Sequence, residues 1–173
     1  MKKIISTTFL TLMAFFVFAQ QQSTADKILQ DAYKNAAREH KNVFLIFHAS
    51  WCGWCKKLEA SMNDETTKKY FEKNYVIIHL DVQEREGKKN LETPGADKVL
   101  LNFKGEKAGL PFFVVLNSGG ELLADSFVEN QNLGCPASAA EVDSFITLLK
   151  KTSKITEDQI KAVSTRFRQN EAR

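Results

Sequence analysis

Two apolar runs, "NVFLIFHAS" (42–50) and "YVIIHLDV" (75–82), limit what this chain can fold into. Both are rich in branched and aromatic residues and have the length of strands buried in a sheet. A helical pattern precedes the first: Ile28, Leu29, Ala32, Tyr33 and Ala36 recur at spacings of three and four between Ser23 and Lys41. Ser23 or Thr24 supplies its cap, with Asp26 in the first turn. Between the runs lie two more helical pieces, one through Lys56, Leu58, Ala60 and Met62, the other from Asp64 to about Asn74 with Tyr70 and Phe71 turned inward. The order helix, strand, helix, strand predicts a parallel crossover unit, and so an α/β fold.

The second half adds a hairpin and more helices. A polar stretch from Gln83 to Thr93 leads into "GADKVLLNFKG", a short helix or turn bounded by Gly95 and Gly105. Strands are expected at about 112–117 and 121–128, joined by Ser118-Gly119-Gly120, where glycine supplies the positive φ of a tight hairpin. Ser138 with Glu141, and Thr156 with Gln159, have the spacing of capping boxes. They open an amphipathic helix through Val142, Phe145, Ile146 and Leu149, and a more polar one to about Asn170 that docks weakly or serves a partner.

The first 19 residues read separately. Lys2 and Lys3 precede an apolar run from about Thr8 to Phe18, which closes in Val17-Phe18-Ala19 and then polar glutamines. That order is the pattern of a cleaved secretory signal, and the run is short for a bilayer span. The expected division is therefore a leader at 1–19, one domain at 20–152 and a helical extension at 153–173. Without the leader's two lysines the 24 basic residues become 22, against 21 acidic, so the basic balance gives no support to nucleic-acid binding. The expected setting is an exported protein, in the periplasm, with no membrane span once the leader is removed.

Export makes the cysteines informative, because thiols that persist in an oxidising compartment are bridged, catalytic or inaccessible. Three is an odd number, so one cysteine lies outside any internal pair. Cys52 and Cys55 stand two residues apart in "ASWCGWCKKLEA", where the first strand gives way to a helix. A helix beginning at Cys52 places Cys55 one turn on, on the same face, at a separation a disulfide accepts. The free amide N–H groups at the helix start stabilise a thiolate. Cys52 is then the exposed nucleophile and Cys55 the resolving thiol. Trp51 and Trp54, with Gly53 between them, form the apolar surface on which a substrate lies, and Lys56 and Lys57 read as solvated helix residues. Two other readings stay open here: a purely structural disulfide, and half of a zinc or copper site. The latter is short of ligands, since only Cys135, His40, His48 and His79 remain and they are scattered. No cofactor or metal is expected. Cys135 reads as buried and unreactive, against a third redox thiol or an intermolecular bridge.

Taken together, "FHASWCGWCKKL", "VIIHLDV" and "AGLPFFVVLNSGGELL" resemble the thioredoxin family over about residues 24–152, most closely its exported bacterial members. The resemblance implies a central mixed sheet of about four strands flanked by helices. It also implies a thiol–disulfide oxidoreductase acting on protein thiols and disulfides, and it admits a membrane disulfide reductase as electron donor. By the same resemblance Pro111 is cis and faces Cys52 and Cys55, and the backbone of Leu110 pairs with an extended substrate. Three positions depart from the family. Ile46 stands where many members carry a buried aspartate, and His79 where they carry a lysine; His79 reads as a satisfied strand histidine, with proton handling as its other role, and His48 as structural. Trp54 replaces a proline, which leaves the direction of exchange undetermined. The competing function is a protein-binding module on the same scaffold, modulated by redox state.

Overall fold

The computed structural model describes residues 23–171, and the expected leader at 1–19 lies outside the described residues. Helix α1 (Ala25–Glu39) is capped by the Thr24 hydroxyl, which accepts the Lys27 N–H. It ends where His40 turns left-handed, and β1 (Asn42–His48) follows. Then come α2 (Gly53–Met62), α3 (Lys68–Asn74), β2 (Tyr75–Asp81) and α4 (Ala96–Asn102). The hairpin is β3 (Phe112–Leu116) and β4 (Leu122–Asp125), and a small ribbon pairs β5 (Phe127–Val128) with β6 (Gln131–Asn132). The chain closes with α5 (Ala139–Thr152) and α6 (Glu157–Arg168), each opened by the capping box expected for it.

One mixed sheet runs β2-β1-β3-β4, with β1 parallel to β2 and antiparallel to β3. Because strand side chains alternate, β1 and β3 feed two cores at once. Phe44, Ile46, Phe113 and Val115 face α2, α3, α5 and α6, while Val43, Leu45, Phe47, Phe112, Val114 and Leu116 face α1 and α4. Both strands are buried on both faces, which is why they read as continuous apolar runs. Two glycines are needed where they stand. Gly120 has φ +85 in the hairpin turn, and a Cβ on Gly105 would meet the Phe112 ring at 2.5 Å.

The structure corrects three expectations. Strand β2 lies at the sheet edge, so Val76, Ile77, Ile78 and His79 are only half-buried rather than enclosed. The strand expected over 121–128 breaks at Ser126, because the Asp125 carboxylate takes the Phe127 N–H and the Ser126 hydroxyl takes the Phe113 N–H. And α6 is no loosely docked appendage. Val163 and Phe167 are fully buried, and the Phe167 ring lies 4.9 Å from Phe145 and 6.2 Å from Phe71. Polar contacts finish the docking: Arg166 Nε donates to Asp64 at 2.9 Å, Arg168 to the Ala137 carbonyl at 2.7 Å, and Asn170 Nδ2 to the Ser61 hydroxyl at 2.8 Å.

Candidate active site at the start of α2

Strand β1 delivers the chain into a turn, in which the Cys52 N–H donates to the Ala49 carbonyl at 3.0 Å, and α2 begins directly behind it. Cys52 is the N-cap. Its sulfur accepts the Cys55 N–H at 3.1 Å, in place of the hydroxyl or carboxylate that usually fills this position. The two sulfurs are bonded, with Cα atoms 5.3 Å apart.

Exposure does not separate the two cysteines as the sequence suggested. Cys52 is 3% exposed and Cys55 5%, because Ala49 and Leu110 close over the pair. What separates them is hydrogen bonding. A backbone N–H favours the charged form of the sulfur it is aimed at, and here it is aimed at Cys52 rather than Cys55.

The tryptophans form the open edge of the site, at 42% exposure for Trp51 and 45% for Trp54. Trp51 Nε1 donates to the Gln83 carbonyl at 2.9 Å, and the Arg85 guanidinium lies 5.4 Å from its ring centre. Lys57 Nζ sits 4.1 Å above the Trp54 ring and donates to the Asn170 carbonyl at 3.3 Å. Lys57 is therefore not simply solvated: it ties Trp54 to the end of α6, at a spacing of three residues that helices bring together. Gly53 leaves a clearing, since a Cβ there would meet nothing within 4 Å.

Leu110 and Pro111 come to the same place from the start of β3. The Leu110–Pro111 peptide is cis, and Leu110 packs against both cysteines. The loop that carries them is held by Asn132, whose Nδ2 donates to the Gly109 and Pro111 carbonyls at 3.2 and 3.0 Å. Its Oδ1 accepts the Ser126 hydroxyl at 2.6 Å and the Gly134 N–H at 3.2 Å. A groove of about 280 Å³ runs from Trp54 past Pro111 to Gly134 and Cys135. The sequence carried no sign of Asn132 beyond an amide in a loop. It also missed Glu84, whose buried carboxylate accepts the Ser50 N–H at 2.5 Å and the Ser50 hydroxyl at 2.8 Å.

Among the described residues, no group of three or more His, Cys, Asp or Glu could hold a metal ion. His79 is opposite Ile46 in the sheet, its ring 5.0 Å from His48, and burial above all lowers its pKa so that it stays neutral. His48 Nε2 pairs with Asp81 at 3.2 Å. Cys135 is 7% exposed, and burial pushes its thiol up to about 12. At pH 8 iodoacetamide should therefore leave Cys135 untouched in the native protein and label it on denaturation. The sign of its pH effect follows. Between about pH 9 and pH 12 the unfolded thiol ionises while the native one stays protonated, so stability should fall through that window. Rapid labelling of native Cys135 at pH 8 would contradict this burial.

A sequence model of the thioredoxin-like family matches residues 24–118. Protein disulfide-isomerase of Gallus gallus is 34% identical over 93 residues, 48% of this chain and 18% of that protein. Spermatogenesis-associated protein 20 of Mus musculus is 30% identical over 94 residues, 52% of this chain and 11% of that protein. The chain thus spans less than a fifth of the length of these relatives. Among solved structures, a disulphide isomerase from Xylella fastidiosa Temecula1 superposes with a TM-score of 0.51 at 19% identity, over 90% of this chain and 98% of that one. That likeness is one of fold. No helix among the described residues is long and apolar enough to cross a membrane.

Proposed function

The chain belongs to the thioredoxin-like family, and on that premise we propose that it is a thiol–disulfide oxidoreductase working through Cys52 and Cys55 on protein substrates. The observation that carries this reading is the Cys55 N–H directed at Cys52 Sγ at the start of α2, within a pair already able to close.

In the reduced protein the Cys52 thiolate attacks one sulfur of a substrate disulfide. A Cys52–substrate bond forms, the substrate S–S bond breaks, and one substrate thiolate leaves. Cys55, as a thiolate, then attacks Cys52 Sγ and expels the second substrate thiolate. Two electrons pass to the substrate and the protein is left as the disulfide. An external dithiol returns the electrons, and the reverse sequence oxidises a substrate dithiol. Neither the Leu110 N–H nor its carbonyl has a backbone partner among the described residues. Both are free to pair with an extended substrate laid along Pro111, while Trp51, Gly53 and Trp54 meet its side chains.

The leader pattern at 1–19 supports export, and with it a periplasmic setting in which a membrane disulfide reductase serves as the dithiol. The test is capture. Cys55→Ser, presented with a disulfide-bonded protein such as insulin, should accumulate a mixed disulfide at Cys52 that mass spectrometry identifies and dithiothreitol releases. Absence of any Cys52 adduct under those conditions would remove the reading.

A further inference from the structure

Glu84 lies in the polar stretch after β2, far in sequence from the cysteines, yet it is only 3% exposed. Its whole carboxylate is committed to one residue of the active-site turn: Oε1 accepts the Ser50 N–H and Oε2 the Ser50 hydroxyl, at 2.5 and 2.8 Å. Ser50 sits inside the turn that Cys52 closes onto Ala49. One position before Glu84, the Gln83 carbonyl holds the Trp51 indole, so consecutive residues grip consecutive residues. The grip is itself braced, because the Glu84 N–H donates to Glu92 Oε1 at 2.8 Å and Glu92 pairs with Lys89.

A neutral amide could satisfy a serine at lower cost, since burying a charge is expensive. The Ser50 N–H first, and its hydroxyl, hold the Glu84 carboxyl below the usual carboxylate range against the effect of burial, so it is ionised wherever thiol exchange runs. Lys88 and His48 face it, Lys89 acts on it from the same loop, and Glu92 lies against its backbone. The turn that presents Cys52 therefore contains a fixed negative charge. The start of α2 favours the Cys52 thiolate and this carboxylate opposes it.

Resting on the reading of Cys52 and Cys55 as a redox couple, we propose that Glu84 is the positioning residue of the site: it clamps the 49–52 turn through Ser50 and moderates the Cys52 thiolate with its charge. Glu84→Gln keeps the shape and removes the charge, while Glu86→Gln removes a charge from the exposed part of the same loop without touching Ser50. The readouts are the pH dependence of Cys52 alkylation and the reduction potential in glutathione buffers. For Glu84→Gln the alkylation midpoint should fall by about 0.5 to 1 pH unit, the effect of removing one screened charge bound to the neighbouring Ser50, and the potential should become more oxidising. Glu86→Gln should match the parent in both.

A folded Glu84→Gln protein with the parent's midpoint and potential would overturn the assignment, as would equal shifts in the two variants. If Glu84→Gln does not fold, carbon-13 NMR of Glu84 in the unaltered protein replaces it. In the reduced protein its carboxyl resonance should shift again as Cys52 ionises, and in the oxidised protein it should not; absence of that second step in the reduced protein would overturn the assignment. The two levels are separable: a parent protein that forms no Cys52 adduct defeats the redox reading, whereas an exchanging parent matched by Glu84→Gln defeats only the role of Glu84.

Discussion

Cys52→Ser is expected to lower disulfide exchange by roughly three orders of magnitude or more, to the uncatalysed background. The reason lies in the N-cap geometry. The Cys55 N–H and the start of α2 favour charge on the atom at position 52, and a thiol ionises far more readily than a serine hydroxyl. The substitution is nearly isosteric, and a serine oxygen is a good N-cap acceptor, so α2 should remain intact. Loss of activity with an unchanged circular dichroism spectrum separates chemistry from folding. Insulin reduction with dithiothreitol as electron source reads the effect, and a variant retaining more than a tenth of the parent rate would assign the nucleophile elsewhere.

Phe167→Ala should produce the largest loss of stability among the substitutions in α6, about 3 to 5 kcal/mol. Phe167 is wholly buried between Phe71 of α3 and Phe145 of α5, and those rings in turn meet Phe44 and Phe113 of the sheet. A loss of that size is a large part of the 5 to 15 kcal/mol typical of a single domain. It should also reach the site, because the same segment supplies the Asn170 carbonyl to Lys57 beneath Trp54. Urea unfolding gives the number directly. A loss below about 1 kcal/mol would mean that α6 is the peripheral helix its polar sequence suggests.

These cases show what the sequence made legible. Strands β1 and β3 were visible because both of their faces are covered, which makes every position apolar. The helix start at Cys52 was visible because the cysteine motif directly behind an apolar strand is a local signal. Strand β2 looked like β1 in composition, and only the sheet order reveals that it is an edge strand, with no strand beyond it among the described residues. Helix α6 misled for the opposite reason: its apolar docking rests on a few side chains, Val163 and Phe167 above all, in an otherwise polar sequence. Asn132 and Glu84 were invisible because each reaches backbone groups 21 to 34 residues away, and such contacts leave no trace in side-chain pattern. The cysteine pair needed no such reach, and so its chemistry could be read before the fold.

The most direct test is to equilibrate the purified protein in graded glutathione buffers, quench with acid, alkylate, and count thiols on each cysteine by mass spectrometry. Cys52 and Cys55 should change together in one two-electron transition, with a midpoint between about −270 and −120 mV, while Cys135 counts as one thiol at every poise. If Cys52 and Cys55 remain unpaired thiols at every poise, or stay bonded at the most reducing one, the pair is not a working redox couple.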